Sequence, residues 1–452
     1  MELHRHTTAC TSRRTDSSNS AGLHQLVLLL LLTLVGGGNG RTEKENPSSP
    51  FVPPAPLIAL KAELKQRLEV LCGQEGTKCK FACRILEAWD APFELATRIS
   101  VDEHTTADGP DFLLIGTQKG GTTDIYEQLA QQRNFQALGS VQSCSEKGNK
   151  KKCAGQKELH FFDWACLHQQ ERGRFKGGKR WWCNGIVYAS HFKEMRKSVS
   201  SPRQFVGEAT SNYLYHPEIP RMAKGLFPTT KLILLLRDPV SRAYSGFFQH
   251  FHAQGNRTFD EMISHEIRVI RRCEELLPAG LHSTVHMFSE CIYPLFATEV
   301  LEKTLSPDGP KTTRQRVGHR PNSVACNPAF VRWYAHVSRG LYYFQLLQWL
   351  EHYPKEQILV LKSEDYFLNN ADGIRKIVEF VGGDDLDADV TGTNGATGED
   401  SIIDRGALVG TNSKSQGKIS DKAKKRLEEV YKPYNAMLYK LLDSIGQSMA
   451  PF

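Results

Sequence analysis

The chain has 452 residues, of which 40% are hydrophobic. This length and composition exclude a chain too short or too polar to bury a core, and they allow one large α/β domain with appendages. The formal net charge is +7, an excess that suits a polyanionic partner without demanding one.

An apolar run near the N-terminus predicts a membrane segment. Leu26–Val35 is too short to cross a bilayer, but its extension to residues 21–38 gives about 18 residues, the lower limit for a spanning helix. Several arginines precede the run and only Arg41 follows closely, which favours a cytoplasmic tail (1–20) and a luminal remainder. We therefore predict a signal-anchor transmembrane helix in a single-pass type II protein. A signal peptide cleaved within Gly36–Gly40 is the alternative.

Residues 39–105 are predicted to form a stem. Thr42–Pro56 is polar and rich in proline, which is typical of an extended linker. Leu57–Leu71 then carries leucines at helical spacing. The sequence leaves open whether this helix belongs to the stem or is the first layer of the main domain, which we predict to extend over residues 106–446.

Ten of the eleven cysteines follow the apolar run, and an even number in a luminal chain predicts disulfide bonds. Short loops favour pairing of Cys144 with Cys153 and of Cys166 with Cys183, although spacing alone does not fix the connectivity. Asn256 begins an acceptor sequence for glycosylation, as expected of a luminal surface loop.

Short apolar runs predict four buried strands, at Phe112–Ile115, Phe205–Glu208, Leu232–Leu236 and Ile358–Leu361. Helical or irregular sequence separates them, as in a parallel sheet covered on both faces. The expected fold class is therefore α/β, a three-layer sandwich with a central parallel sheet. Near the C-terminus, Ser420 is expected to cap a helix that runs to Leu442, with a kink at Pro433.

A glycine-rich turn joins the first strand to a helix in the sequence GTQKGGTT, residues 116–123. A strand, a glycine loop and a helix form a phosphate cradle, because glycine lets the backbone approach an anion and the first helix N–H groups point at it. The residues expected to hold the anion are Lys119, Gly120, Gly121, Thr122 and Thr123. A nucleoside-triphosphate loop needs lysine where Thr122 stands, so we predict that Lys119 reaches a bridging oxygen of a single 5′-phosphate group.

A second motif places Arg237 directly after the strand Leu232–Leu236, with Ser245 eight residues past the arginine. An arginine at the carboxyl end of a parallel strand is well placed to bind phosphate through two hydrogen bonds, and a helical serine can add a hydroxyl. The alternative is that Arg237 simply pairs with Asp238 at the strand end.

Between the two motifs lies KELHFFDW, residues 157–164. Its polar side chains are predicted to lie partly on one side of an extended segment that aromatic residues anchor. Glu158 is a candidate base for a hydroxyl proton, and His160 is expected to orient it or to stabilise the leaving charge. The alternative is a surface carboxylate beside a satisfied core histidine.

These motifs together resemble the sulfotransferases, which use 3′-phosphoadenosine 5′-phosphosulfate (PAPS). GTQKGGTT is similar to their 5′-phosphosulfate loop, and the resemblance implies that Arg237 and Ser245 bind the 3′-phosphate. KELHFFDW resembles a segment of the glycosaminoglycan sulfotransferases, which comprise the heparan sulfate 3-O- and N-sulfotransferases and the enzyme that 6-O-sulfates N-acetylgalactosamine 4-sulfate.

The resemblance covers most of residues 110–442 and implies roles for single residues. Glu158 matches the catalytic base of the 3-O branch, while His160 and Asp163 match its histidine and aspartate. Lys119 is expected to neutralise charge on the leaving phosphate oxygen. No metal is implied.

The sequence departs from this pattern in two places. The heparan branch has a lysine where Ala209 stands, directly after Glu208. Its terminal Ser-Lys-Gly-Arg loop, which closes on PAPS, corresponds to Ser413–Lys418 in altered register, so Lys414 and Lys418 are candidates for that role. Both departures favour chondroitin- or dermatan-type O-sulfation. A heparan sulfate O-sulfotransferase and a non-catalytic glycan-binding relative remain open.

Basic residues cluster on both sides of Glu158, and two tryptophans follow them. An acidic glycan such as a glycosaminoglycan needs such charge along its cleft, and tryptophan faces suit sugar rings; solvated loops are the alternative. We therefore predict a glycosaminoglycan acceptor, no nucleic acid, and a Golgi membrane location with the catalytic domain in the lumen. A P-loop phosphotransferase is disfavoured by Thr122. The basic residues and tryptophans are Lys147, Lys150, Lys151, Lys152, Arg172, Arg174, Lys176, Lys179, Arg180, Trp181 and Trp182.

Overall fold

The computed structural model describes residues 52–73, 82, 99, 101, 104–130, 132, 135–137, 157–167, 183–197, 205–249, 257–305, 335–382 and 418–452. Residues 53–452 belong to one compact unit. No helix within the described ranges is long and apolar enough to cross a membrane. The predicted anchor, residues 21–38, lies outside these ranges.

Within the described ranges, five strands form one sheet in the order β2-β3-β1-β4-β5, and all neighbouring strands are parallel. The four predicted strands are confirmed, whereas the short β2 was not anticipated. The strands are β1 (Phe112–Gly116), β2 (Phe135–Ala137), β3 (Phe205–Glu208), β4 (Lys231–Leu236) and β5 (Ile358–Lys362).

Helices connect and cover these strands. The described helices are α1 (Ala55–Gly73), α2 (Thr122–Leu129), α3 (Gly185–Lys197), α4 (Ile219–Leu226), α5 (Pro239–Gln249), α6 (Phe259–Leu276), α7 (Tyr293–Leu305), α8 (Tyr342–Leu350), α9 (Ser363–Leu368), α10 (Asn370–Gly382) and α11 (Asp421–Ser444). Ser420 caps α11 as predicted, because its Oγ accepts a hydrogen bond from Ala423 N at 3.1 Å. Pro433 lies inside α11.

The sheet is buried on both faces, which confirms the three-layer α/β sandwich. Alternate residues of a strand enter different clusters, because successive side chains point to opposite faces. Leu113 and Leu234 pack with helices α3, α4, α8 and α11. Leu114 and Ile233 pack on the other face with α2, α9 and α10.

Helix α1 packs against α7 and a π-helical turn, Met287–Ile292. Its leucines at 60, 64, 68 and 71 are buried, and Arg67 forms two hydrogen bonds to Glu302, at 2.7 and 2.5 Å. Of the two alternatives for this helix, contact with the domain is therefore the one observed. The predicted limits of the tail, stem and domain stay predictions.

Two disulfide bonds lie within the described residues. The predicted pair of Cys166 and Cys183 is confirmed, and it ties a π-helical turn, Phe161–Leu167, to the segment that begins α3. Cys273 and Cys291 form the second bond, which joins α6 to the turn before α7. Cys144 and Cys153 lie outside the described residues.

The strand order fixes where a ligand can bind. β1 is central, and the chain reaches β3 on one side of it and β4 on the other. Loops that leave the carboxyl ends of neighbouring parallel strands diverge at such a point and leave a crevice. The segments after β1, β3, β4 and β5 therefore meet at one edge of the sheet.

Candidate active site

The loop between β1 and α2, residues 117–121, is fixed to the end of β4 by a backbone hydrogen bond and to the end of β5 by a serine side chain. Thr117 N donates to Leu235 O at 2.9 Å, and Gly120 N donates to Thr117 O at 3.0 Å. Ser363 Oγ, directly after β5, donates to Gly120 O at 2.6 Å. The loop is thus held by the sheet itself.

Glycine is required at two positions of this loop. Gly121 has a φ of 104°, a conformation that glycine adopts readily, and a Cβ there would lie 2.7 Å from the Phe367 ring. A Cβ on Gly120 would lie 2.7 Å from Leu235 O, which belongs to the sheet backbone. Both glycines therefore allow the tight turn that was predicted for a phosphate cradle.

The N-terminus of α2 offers N–H groups to an anion. Among the described residues, the first N–H groups of this helix to find a backbone acceptor belong to Asp124 and Ile125, which both donate to Gly121 O. No side chain caps the helix. The N–H groups of Thr122 and Thr123 are therefore available, and the helix dipole favours negative charge there.

Lys119 and Arg237 bring two positive charges to the loop. Arg237 Nη1 donates to Lys119 O at 3.0 Å, and pairing with Asp238 is not observed among the described contacts. Burial lowers the pKa of Lys119, and Arg237 lowers it further. Burial also lowers the pKa of Arg237, although Glu364 opposes the change. A bound anion would relieve this excess of positive charge.

The other residues predicted to bind the nucleotide belong to other parts of the chain. Ser245 is half-buried on the second turn of α5. Lys418 is exposed just before α11, whereas Lys414 lies outside the described residues. Tyr342, which the sequence did not single out, donates its hydroxyl to Arg237 O at 2.9 Å and so fixes the backbone of the arginine.

Glu158 carries the carboxylate predicted to be the base, and three polar groups surround it. Its Oε1 accepts hydrogen bonds from Lys157 Nζ at 2.9 Å and from Ser211 Oγ at 2.8 Å. Its Oε2 lies 3.1 Å from His160 Nε2, and the side chain is 22% exposed. The carboxylate is therefore fixed in orientation and still open to a substrate.

His160 lies between two carboxylates, since its Nδ1 is 2.8 Å from Asp163 Oδ2 while its Nε2 faces Glu158. Burial would lower the pKa of His160, but Asp163 and Glu158 outweigh burial and raise the pKa to about 9. The imidazole is therefore charged at neutral pH and donates to both carboxylates. Burial raises the pKa of Asp163, but His160 and its other partners lower it overall.

The prediction of an extended segment is wrong for residues 161–163. Residues 157–160 are irregular, with a φ of 54° at His160, and Phe161–Leu167 forms a π-helical turn. In a strand, residues three apart point to opposite faces, so a helical turn is needed to bring Asp163 back to His160. Phe161 and Phe162 are buried, as predicted for anchors.

A buried carboxylate, Glu208 at the end of β3, holds this segment in place. Burial raises its pKa, and the donors around it oppose the change. Phe161 N in turn donates to the Tyr213 hydroxyl at 2.9 Å. The donors to Glu208 are Leu159 N at 2.9 Å, Tyr188 OH at 2.5 Å, Thr210 Oγ1 at 2.5 Å and Tyr213 OH at 2.7 Å.

Two further buried side chains, Asn212 and Arg339, extend the hydrogen-bond network from Asp163. Asn212 Nδ2 donates to Asp163 Oδ2 at 2.7 Å, and Asn212 Oδ1 accepts from Arg339 Nη2 at 2.7 Å. The Arg339 guanidinium lies 4.1 Å from the centroid of the Tyr215 ring. Sequence reasoning missed Asn212 and Arg339, because 127 positions separate them and neither belongs to a motif.

Lys157 joins the two halves of the site. Its Nζ, which bonds Glu158, also lies 3.3 Å from Ala209 O and 3.4 Å from Thr122 Oγ1. Because Thr122 begins α2, one ammonium group connects the carboxylate with the phosphate loop. The structure thus brings Glu158 and His160 to the loop that contains Lys119.

The sequence pattern of the sulfotransferase domain matches residues 109–391. Carbohydrate sulfotransferase 15 from Mus musculus is 23% identical over 368 residues, which are 74% of this chain and 53% of that protein. Heparan sulfate glucosamine 3-O-sulfotransferase 6 from Mus musculus is 31% identical over 140 residues, which are 31% of this chain and 30% of that protein. The chain spans about half the length, or less, of these two relatives.

A solved structure of a sulfotransferase from Alicyclobacillus acidocaldarius is also similar. It is 18% identical, covers 75% of this chain and 97% of its own, and superposes with a TM-score of 0.41.

Proposed function

This chain belongs to the sulfotransferase domain family, whose pattern matches more than half of its length, and we propose that it transfers a sulfuryl group from PAPS to a hydroxyl of a glycosaminoglycan or related glycan. The observation that carries the proposal is the contact of Lys157 Nζ with both Glu158 and Thr122. This contact supports the proposal, because transfer from a bound anion to a hydroxyl requires a fixed carboxylate beside a group of anion donors such as a helix N-terminus.

The donor binds through the loop and the end of β4. Backbone N–H groups of Gly121, Thr122 and Thr123, with the Lys119 ammonium, hold the 5′-phosphosulfate, and Gly120 lets the backbone approach it closely. The 3′-phosphate binds Arg237 and Ser245, and Lys414 and Lys418 close over the nucleotide. The uncapped N-terminus of α2 supports this assignment, because its N–H groups need acceptors.

Glu158 takes the proton of the acceptor hydroxyl as its oxygen attacks sulfur in line. The new bond joins this oxygen to sulfur, and the bond from sulfur to the 5′-phosphate oxygen breaks. The electron pair of that bond stays on the phosphate oxygen, and Lys119 neutralises the negative charge that develops there. His160, charged and bonded to both carboxylates, keeps Glu158 aimed at the acceptor.

We propose chondroitin- or dermatan-type O-sulfation, and Ala209 supports this choice because the heparan branch has a lysine there. The alternatives are a heparan sulfate O-sulfotransferase and a non-catalytic glycan-binding relative. We also propose a Golgi location with the domain in the lumen and an anchor at residues 21–38. The disulfide bonds Cys166–Cys183 and Cys273–Cys291 support an oxidising compartment.

The test is transfer of labelled sulfate from PAPS to chondroitin, dermatan, heparan and desulfated acceptors. The full chain is compared with Glu158→Gln and with Glu194→Gln, a carboxylate on α3 that is exposed and pairs with Lys197. We expect Glu158→Gln to lower kcat by about 10²–10⁴-fold and to leave the binding of adenosine 3′,5′-bisphosphate unchanged. Glu194→Gln should behave as wild type.

Each outcome selects one reading. The best acceptor names the branch. Binding of glycans without transfer and without binding of the bisphosphate favours the non-catalytic relative. Magnesium-dependent turnover of ATP would instead revive a phosphotransferase, which Thr122 disfavours.

A further inference from the structure

Lys157 is a half-buried cation to which the mechanism above gives no chemical step. Its side chain is 15% exposed. An ammonium has three N–H donors, and the described contacts are also three: Glu158 Oε1 at 2.9 Å, Ala209 O at 3.3 Å and Thr122 Oγ1 at 3.4 Å. The contact with Thr122 is the longest, so it is the one that a better acceptor would replace.

The geometry of the proposed reaction indicates where this ammonium lies relative to the sulfur atom. In an in-line transfer the attacking oxygen lies within hydrogen-bond reach of Glu158, and the leaving oxygen lies at the N-terminus of α2. Sulfur must therefore pass between the carboxylate and Thr122. Lys157 Nζ contacts both ends of this path, so it lies beside the sulfuryl group.

Residue 209 cannot supply a charge at this place. Ala209 is fully buried in the apolar cluster on one face of the sheet, and its methyl group has no polar atom. Its carbonyl oxygen, however, accepts a hydrogen bond from Lys157. The ammonium of Lys157 thus lies next to position 209, where the heparan branch has a lysine of its own.

We infer that Lys157 is a catalytic residue that donates a hydrogen bond to a nonbridging sulfuryl oxygen and so takes the place of the lysine absent at position 209. This inference rests on the proposed function. The proton stays on Lys157 throughout, while Glu158 receives the hydroxyl proton and the leaving phosphate keeps the electron pair. The site then has a cation on each side of the reacting sulfur, Lys119 at the phosphate and Lys157 at the sulfuryl group.

A bound sulfuryl group distinguishes this role from simple pairing with Glu158. PAPS has the sulfuryl group, whereas adenosine 3′,5′-bisphosphate lacks it and is otherwise the same nucleotide. If Lys157 touches the sulfuryl group, its removal weakens the first ligand more than the second. If Lys157 only neutralises Glu158, both ligands are affected alike.

The experiment measures the affinities of PAPS and of the bisphosphate by calorimetry, without acceptor, on the full chain and on Lys157→Met, Lys157→Arg and Lys224→Met. Lys224 is a matched control, because it is also half-buried and donates to Pro228 O at 2.7 Å, away from the site. For Lys157→Met we expect PAPS to bind about tenfold more weakly and the bisphosphate to bind as before. Transfer should fall by about 10²–10³-fold, with part of it restored in Lys157→Arg.

Equal changes for the two nucleotides, or no change for either, would overturn the inference. If the wild-type chain sulfates an acceptor and Lys157→Met does so equally well, the inference fails while the proposed function stands. If the wild-type chain sulfates nothing, the proposed function fails for those acceptors, and the ratio of the two affinities still decides the role of Lys157. Should Lys157→Met fail to fold, as judged by circular dichroism, the same ratio is measured in Lys157→Gln, which also removes the positive charge.

Discussion

The two sides of the site are built by different means. The proposed donor side, residues 116–123, is a continuous stretch whose candidate binding groups are mainly backbone N–H groups on the sheet edge. The proposed acceptor side, residues 157–163, has its side chains and backbone held by buried side chains from distant segments, among them Glu208, Asn212 and Arg339.

This difference predicts different sensitivities. A backbone cradle tolerates changes of side chain but not an added Cβ at its glycines. A network of buried carboxylates, an imidazolium and a guanidinium tolerates no loss of a partner, because each loss leaves a buried polar group unpaired. It also responds to pH, since its charges depend on one another.

Among the changes on the acceptor side, Glu208→Ala is expected to lower the stability most. This change leaves four donors around a fully buried carboxylate without their acceptor. We expect the free energy of unfolding to fall by about 3–5 kcal/mol in a urea titration. The exposed control Glu194→Ala should change it by less than about 0.5 kcal/mol. Equal effects of the two variants would show that the acceptor side has no special fragility.

The second prediction concerns how the stability of the acceptor side depends on pH. The pKa of His160 is about 9 in the folded chain and about 6.5 when unfolded. Its contribution to stability is therefore complete below pH 6.5 and lost as the pH rises to about 9. We expect the difference in unfolding free energy between the wild type and His160→Gln to shrink by up to about 3 kcal/mol over this interval. A difference that stays constant with pH would contradict the charged imidazole.

The smallest effect on stability is expected on the donor side, from Gly121→Ala. The added methyl group meets the Phe367 ring and requires an unfavourable φ, so we expect a loss of about 1–3 kcal/mol. Binding of adenosine 3′,5′-bisphosphate should weaken at least tenfold, or by about 1.4 kcal/mol. The matched control is Gly225→Ala on α4, where a Cβ meets nothing within 4 Å. Unchanged nucleotide binding in Gly121→Ala would remove the loop from the donor site.

Local patterns accounted for most of the sheet and for the donor side. Runs such as Leu232–Leu236 are long and apolar enough to mark buried strands. The edge strand Phe135–Ala137 has only three residues, too few for a pattern, and was missed. The glycine loop could be predicted because the residues that form it are consecutive in the sequence.

The sequence predicted only part of the acceptor side. Glu158, His160 and Asp163 stand in one motif, but other partners of this motif, Ser211 and Asn212, lie about 50 positions away. Glu208 ends a predicted buried strand, but the sequence does not indicate which donors its carboxylate binds. The π-helical turn at Phe161–Leu167 was missed because its aromatic residues fit a strand equally well.

The Cys166–Cys183 bond has a consequence for long substrates. Cys166 lies in the same helical turn as Asp163, and 17 positions separate the two cysteines. Five arginines and lysines fall between them in the sequence. Both ends of this loop are fixed at the turn that carries Asp163. We expect that opening the bond with a reductant weakens the capture of long polyanions more than that of short ones.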